Sequence, residues 1–139
     1  LTATCHCGAI EIEVAEKPNS ITQCNCSICR RYGALWAYYT ISSATVNLDP
    51  SAVRTYRWND KVIDFVWCNT CGCLTHYEDS DKVGDYRVAI NTRMMNPSDI
   101  EGKEFDFLME PACESKVYSK RWGHPLADSG QQGVRIPEH

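Results

Sequence analysis

The chain has 139 residues, with 14 Lys and Arg against 18 Asp and Glu for a net charge of −4, 43% apolar residues and nine cysteines. That mix excludes disorder and fibrous repeats, and the length suits one domain burying about two-thirds of its unfolded surface. The acidic balance argues against general nucleic-acid binding, and no apolar run approaches the roughly 18–20 residues of a membrane helix.

Strand signals dominate along the chain. Residues 9–14 alternate apolar and polar with period two, as a half-buried strand does. Lys17 to Ser20 is a turn, and residues 21–23 form a short strand that delivers Cys24. Residues 27–32 make one helical turn, stopped by Gly33. Residues 35–40, 53–58, 62–67 and 73–78 are rich in aromatic and β-branched side chains and read as strands, with Asn59 and Asp60 at a hairpin turn. Residues 85–91 and 104–108 are further strands, and 98–101 a turn of helix after Pro97. The expected fold is mainly β and mostly antiparallel, with few short helical turns. No repeat or linker divides it. Residues 1–127 read as a single domain, and the polar, glycine-rich stretch 128–139 as a C-terminal tail.

The cysteines are Cys5, Cys7, Cys24, Cys26, Cys29, Cys68, Cys71, Cys73 and Cys113. Eight of them fall in three clusters: Cys-His-Cys, Cys-Asn-Cys-Ser-Ile-Cys and Cys-Asn-Thr-Cys-Gly-Cys. A disulfide scaffold fits poorly, because the count is odd and such frameworks belong to secreted chains of under about 100 residues. Spacings of one or two residues aim sulfurs at a common point, and zinc, tetrahedral and bound by sulfur at about 2.3 Å, suits them best. A structural zinc takes four closed ligands, whereas a catalytic zinc keeps three and an open position. Cys5, Cys7, Cys68 and Cys71 make the four, and Cys24, Cys26 and Cys29 the three. A plainer alternative completes the triad with Cys73 or His76, giving two structural sites. Cys113 reads as a buried small hydrophobe. Reduced thiols point to a cytoplasmic compartment. Nothing at the start has the make-up of a signal peptide, although the chain begins at Leu1 rather than Met, leaving room for an earlier segment.

Three stretches carry a resemblance: Cys5-His6-Cys7-Gly8-Ala9-Ile10, then Cys24 to Cys29 followed by Arg30, Arg31 and Gly33, then Phe65 to Cys68 followed by Cys71 and Gly72. Together they resemble the glutathione-dependent formaldehyde-activating enzyme family, whose domain is shared with centromere protein V. The match runs from about Cys5 to Pro97. The resemblance implies a β-tent fold with two zinc ions per chain. It implies that Cys5, Cys7, Cys68 and Cys71 hold a structural ion and Cys24, Cys26 and Cys29 a catalytic one. It further implies a carbon–sulfur lyase-type enzyme that joins glutathione to formaldehyde as S-hydroxymethylglutathione, or cleaves that or a related thiol–aldehyde adduct. Asn91-Thr92-Arg93 is similar to the family's Asn-x-Arg segment near the site. Two features depart from the family pattern: Cys73 has no place in either ligand set, and Met94-Met95 replaces a small or cysteine-containing continuation.

The expected partners are a small thiol such as glutathione and a small aldehyde, with neither nucleic acid nor membrane. Zinc with three thiolates carries a formal −1, since 2 − 3 = −1. Arg30 and Arg31, directly after the triad, are placed to offset it or to pair with glutathione's two carboxylates; the plainer reading is a solvated basic pair. Trp36, Tyr38 and Tyr39 would line a pocket beside the triad or, more ordinarily, fill core. His6 and His76 would hydrogen-bond a ligand or, more ordinarily, sit on the surface or packed inside. Tyr86, Asn91 and Arg93 are polar enough to orient a substrate. No Ser/His/Asp order, phosphate loop or dinucleotide fingerprint is present. Two rival readings are a non-catalytic zinc module that binds protein, and a thiol-redox or metal-storage role prompted by Cys73 and Cys113.

Overall fold

The computed structural model describes residues 1–57 and 61–108, with the side chains of Phe107 and Leu108 not among the features described. The expected turn at Asn59 and Asp60, Cys113 and the tail at 128–139 lie outside the described residues. In chain order the elements are β1 (Thr2–Thr4), β2 (Ile10–Val14), β3 (Ile21–Cys24), α1 (Cys29–Tyr32), β4 (Trp36–Thr40), β5 (Ala44–Leu48), β6 (Val53–Tyr56), β7 (Ile63–Cys68), β8 (Leu74–Asp79), β9 (Arg87–Asn91), α2 (Pro97–Ile100) and β10 (Phe105–Leu108). The protein is mainly β, as its pattern predicts.

Two sheets result. β1, β2 and β5 form a three-stranded sheet, and β10-β3-β4-β9-β8-β7-β6 a seven-stranded one. Pairing is antiparallel except at the edge, where β10 runs parallel to β3. Two strands, β1 and β5, go beyond the predicted set. The signal for β5 is weak but present: Ala44-Thr45-Val46-Asn47-Leu48 alternates apolar and polar residues, without the aromatic residues that mark its neighbours.

The seven-stranded sheet is apolar on both faces, which is why every residue of β9 is buried. Residues directly opposite in a ladder point the same way, so Tyr38, Ala89, Tyr77 and Phe65 form one row across β4, β9, β8 and β7. That row packs with Cys24, Cys26, Cys29 and Trp36. The other face, through Val88 and Ile90, packs on Ile10, Ile12 and Val14 of the smaller sheet. The buried Arg87 guanidinium is compensated by Asp79 at 2.7 Å and lies over the Tyr77 ring at 5.3 Å.

α1 is a single turn, too short to hold itself, and depends on the packing of Cys29. Gly33 ends it in the left-handed region at φ 64°, as the sequence predicts.

His76 is fully buried on the face toward the smaller sheet, opposite Ile90. The Thr75 hydroxyl donates to Val66 O at 3.2 Å, so it accepts from His76 Nδ1–H at 2.9 Å. Nε2 is then an unprotonated nitrogen, and among the described residues it has no hydrogen-bond partner. Burial, with a smaller contribution from Lys82, pushes the imidazole pKa down to about 4. An unfolded chain takes up the proton near its ordinary value of about 6.5, so stability is present above that pH and is lost as pH falls toward 4. Urea unfolding should show a loss of about 2 to 3 kcal/mol from this group between pH 7 and about pH 4.5. His76→Gln should lose correspondingly less than wild type; equal losses in the two would contradict a neutral buried imidazole.

Candidate metal centres

Cys5 and Cys7 follow β1, Cys68 closes β7, and Cys71 lies in the tight turn before β8. The Cys7 Sγ stands 3.6 Å from that of Cys5 and 3.5 Å from that of Cys68, and all four sulfurs lie within 4.8 Å of one another. Sulfurs at the corners of a zinc tetrahedron with bonds of about 2.3 Å stand about 3.8 Å apart, so the set has the size the ion requires. The described cysteines are all free thiols rather than disulfides. Backbone N–H groups of Ile10 and Thr70 point at the sulfurs of Cys5 and Cys68, at 3.3 and 3.4 Å. Gly72, at φ 75°, turns the chain between Cys71 and Cys73 and returns its N–H to Cys68 O at 3.0 Å.

Electrostatics agree with the geometry. The N–H groups of Cys73 and Cys7 hold the Cys71 thiol down to about 5. At Cys7 the Ala9 N–H favours the anion, but the crowding Cys68 sulfur, burial and the other thiols push the pKa up to about 12. Four converging sulfurs cannot all ionise with nothing positive between them, and a dication removes that conflict. The donor set fits zinc.

Cys24 ends β3, Cys29 opens α1, and Cys26 lies in the loop between them. All three are buried, at 2%, 0% and 1% exposure, and their sulfurs also lie within 4.8 Å of one another. The Cys29 N–H points at Cys26 Sγ at 3.5 Å. Among the described residues no fourth Cys, His, Asp or Glu joins them. The two side chains weighed as a fourth ligand lie elsewhere. Cys73 belongs beside the first cluster, its sulfur meeting the His6 N–H and the Cys71 thiol. His76 faces the smaller sheet, away from the triad.

The stretch 91–93 is stitched to the chain just after α1. Asn91 Oδ1 accepts from the N–H groups of Leu35 and Arg93, both at 3.3 Å, and its Nδ2 donates to Leu74 O at 2.9 Å. The Asn91 amide is thus committed to backbone. Thr92 N–H donates to Leu35 O at 2.7 Å. Arg93 Nε donates to Gly33 O at 2.7 Å, which brings an exposed guanidinium to the end of the triad's helix from 60 residues away. At the other end, Arg31 Nη1 donates to Ser27 O at 2.6 Å. Arg30 is half-buried on the same turn.

Of the three aromatics weighed at the sequence level, Trp36 and Tyr38 pack on the triad's side, whereas Tyr39 lies in the inter-sheet core and bonds Glu16 O. Burial pushes the Tyr39 hydroxyl up to about 12. Tyr86 also packs against the inter-sheet core. Tyr32, Phe65, Trp67 and Tyr77 also pack with the triad, which the sequence does not indicate. Tyr32 meets Phe65 at 5.8 Å and Trp67 at 5.9 Å, and Trp36 meets Tyr77 at 4.7 Å. Aromatic enrichment marks the strands that carry Phe65, Trp67 and Tyr77, but core and pocket share that signal.

The fold and its paired clusters define a small β protein with two cysteine sites, each able to hold a metal ion. The model of the glutathione-dependent formaldehyde-activating enzyme family matches residues 1–101, and the chain belongs to that family of enzymes. It is similar to the crystal structure of a Rhodobacter sphaeroides protein from a structural genomics programme. The two share 29% identity over 76% of this chain and 100% of that one, with a TM-score of 0.62. No helix among the described residues is long and apolar enough to cross a membrane.

The two clusters should behave differently when cut. Structural zinc in small domains is worth on the order of 10 kcal/mol, so Cys5→Ser or Cys71→Ser should lose the circular dichroism of the folded state. Cys26→Ser should keep it and lose one zinc by native mass spectrometry. An unchanged metal count in Cys26→Ser would contradict this division.

Proposed function

We propose that the protein forms or cleaves a thiol–aldehyde adduct at a zinc ion held by Cys24, Cys26 and Cys29. Its reactants are glutathione and formaldehyde or a related pair, and a second zinc at Cys5, Cys7, Cys68 and Cys71 is structural. The observation that carries this reading is a buried triad of converging thiols with no fourth ligand among the described residues, in a member of this enzyme family. Cys24, Cys26 and Cys29 would hold the zinc, which would lower the pKa of an incoming thiol and favour its nucleophilic thiolate form.

The chain's own residues do the rest. Trp36, Phe65 and Tyr77 pack behind the triad and keep water from that side of it. Arg31 and Arg93, each fixed by a backbone carbonyl at one end of α1, offset the negative charge of three thiolates and offer donors to carboxylates. Bond making is simple to balance: sulfur bonds to the carbonyl carbon, the C=O π pair moves to oxygen, and oxygen gains the proton that sulfur lost. Nothing is oxidised or reduced. Free thiols throughout the described chain suit a reducing, cytoplasm-like compartment.

Two-dimensional exchange NMR on glutathione and 13C-formaldehyde should show faster exchange with the zinc-loaded protein, falling to the uncatalysed rate in Cys26→Ser. Arg93→Ala should raise the half-saturating glutathione concentration by about tenfold, the loss of one charge-assisted contact. An exchange rate indifferent to wild-type protein would favour a non-catalytic zinc module.

A further inference from the structure

A cleft of about 260 Å³ opens beside the triad, lined by Ser27, Ile28, Arg31 and Tyr56. Two of its walls are the triad's own loop, since Ser27 and Ile28 lie between Cys26 and Cys29. The facing wall is Tyr56, on the edge strand β6 and 43% exposed. Its ring is not loose: it stacks on Trp67 at 6.4 Å and 20°, and Trp67 meets Tyr32 edge-on. Among the described residues the cleft therefore has an aromatic face, an aliphatic face and one cation. That cation is positioned rather than free to wander, because Nη1 of Arg31 is tied to Ser27 O. Among the described residues no carboxylate pairs with Arg31, which leaves its remaining donors for an anion.

One cation beside an aromatic face and an aliphatic one suits a carboxylate with a planar amide next to it. The volume sets the scale. Sites for whole drug-sized ligands begin near about 300 Å³, so this cleft holds part of a tripeptide rather than all of it.

We propose that the cleft is the subsite that selects the thiol, taking a terminal carboxylate on Arg31 and the adjoining amide between Tyr56 and Ile28. It rests on the thiol–aldehyde reading above. The preferred thiol then carries a carboxylate one residue beyond the residue that bears the sulfur, and its γ-glutamyl arm lies outside this cleft.

The test measures binding rather than turnover. Zinc-loaded protein is titrated, by calorimetry or amide chemical shifts, with S-methylglutathione, its glycine ester, γ-glutamyl-S-methylcysteine and S-methylcysteinylglycine. Loss of the glycine carboxylate, or Arg31→Ala, should weaken binding by about 10- to 100-fold, whereas loss of the γ-glutamyl group should cost less. Tyr56→Leu should weaken binding several-fold, and Arg54→Ala, on the same strand, should not change it. An ester that binds as well as the acid, unchanged binding in Arg31→Ala, or no binding of any of these ligands would overturn the proposal. The two readings fail separately. The expected binding pattern without accelerated exchange sinks the reaction and keeps the subsite; accelerated exchange with an indifferent Arg31→Ala does the reverse.

Discussion

Four sulfurs from two places more than 60 residues apart meet within 4.8 Å, and much of the molecule is arranged around that meeting. Cys5 and Cys7 anchor the strands of the small sheet; Cys68 and Cys71 anchor the β7–β8 turn of the large one. The cluster joins the two sheets at the edge of their shared core, where Cys5 and Cys68 pack with Ile10, Ile12, Val88 and Ile90. Closing so long a loop is costly in chain entropy, and a bound dication is the strongest single interaction available to offset it. Without a cation the same sulfurs oppose one another, as the split between Cys71 and Cys7 shows.

The second cluster closes almost nothing. Cys24, Cys26 and Cys29 lie within six residues, so whatever they hold leaves the long-range connectivity of the chain untouched. That difference in loop length is a physical ground for the proposed division between a structural site and a catalytic one. Long-range contacts serve the triad in another way. The stitching of residues 91–93 to Leu35 and Gly33 brings Arg93 to the end of α1, and pairing of β6 with β7 sets Tyr56 over Trp67.

Much of this was legible in the chain. Two-residue periodicity placed β2, aromatic and β-branched runs placed β4 and β6 to β8, and cysteine spacing divided the sulfurs as the folded chain groups them. The illegible part has a common cause: it depends on partners distant in sequence. β5 shows alternation but earns its place by pairing with β2, and the parallel course of β10 follows from its partner β3. Nothing local separates Tyr38, on the triad's face, from Tyr39, on the other; strand parity does, once the register is set. Cys73 was unassignable because a turn, not a spacing, sets it beside the first cluster.

The central claim is that one cluster is closed and the other keeps a position for a thiol. Cadmium-113 NMR of the metal-exchanged protein, titrated with glutathione, tests it most directly, because each resonance reports the ligands of one ion. The account predicts two resonances, one unmoved by the thiol and one that shifts as the thiol binds. A single resonance, or two that both ignore glutathione, would contradict it.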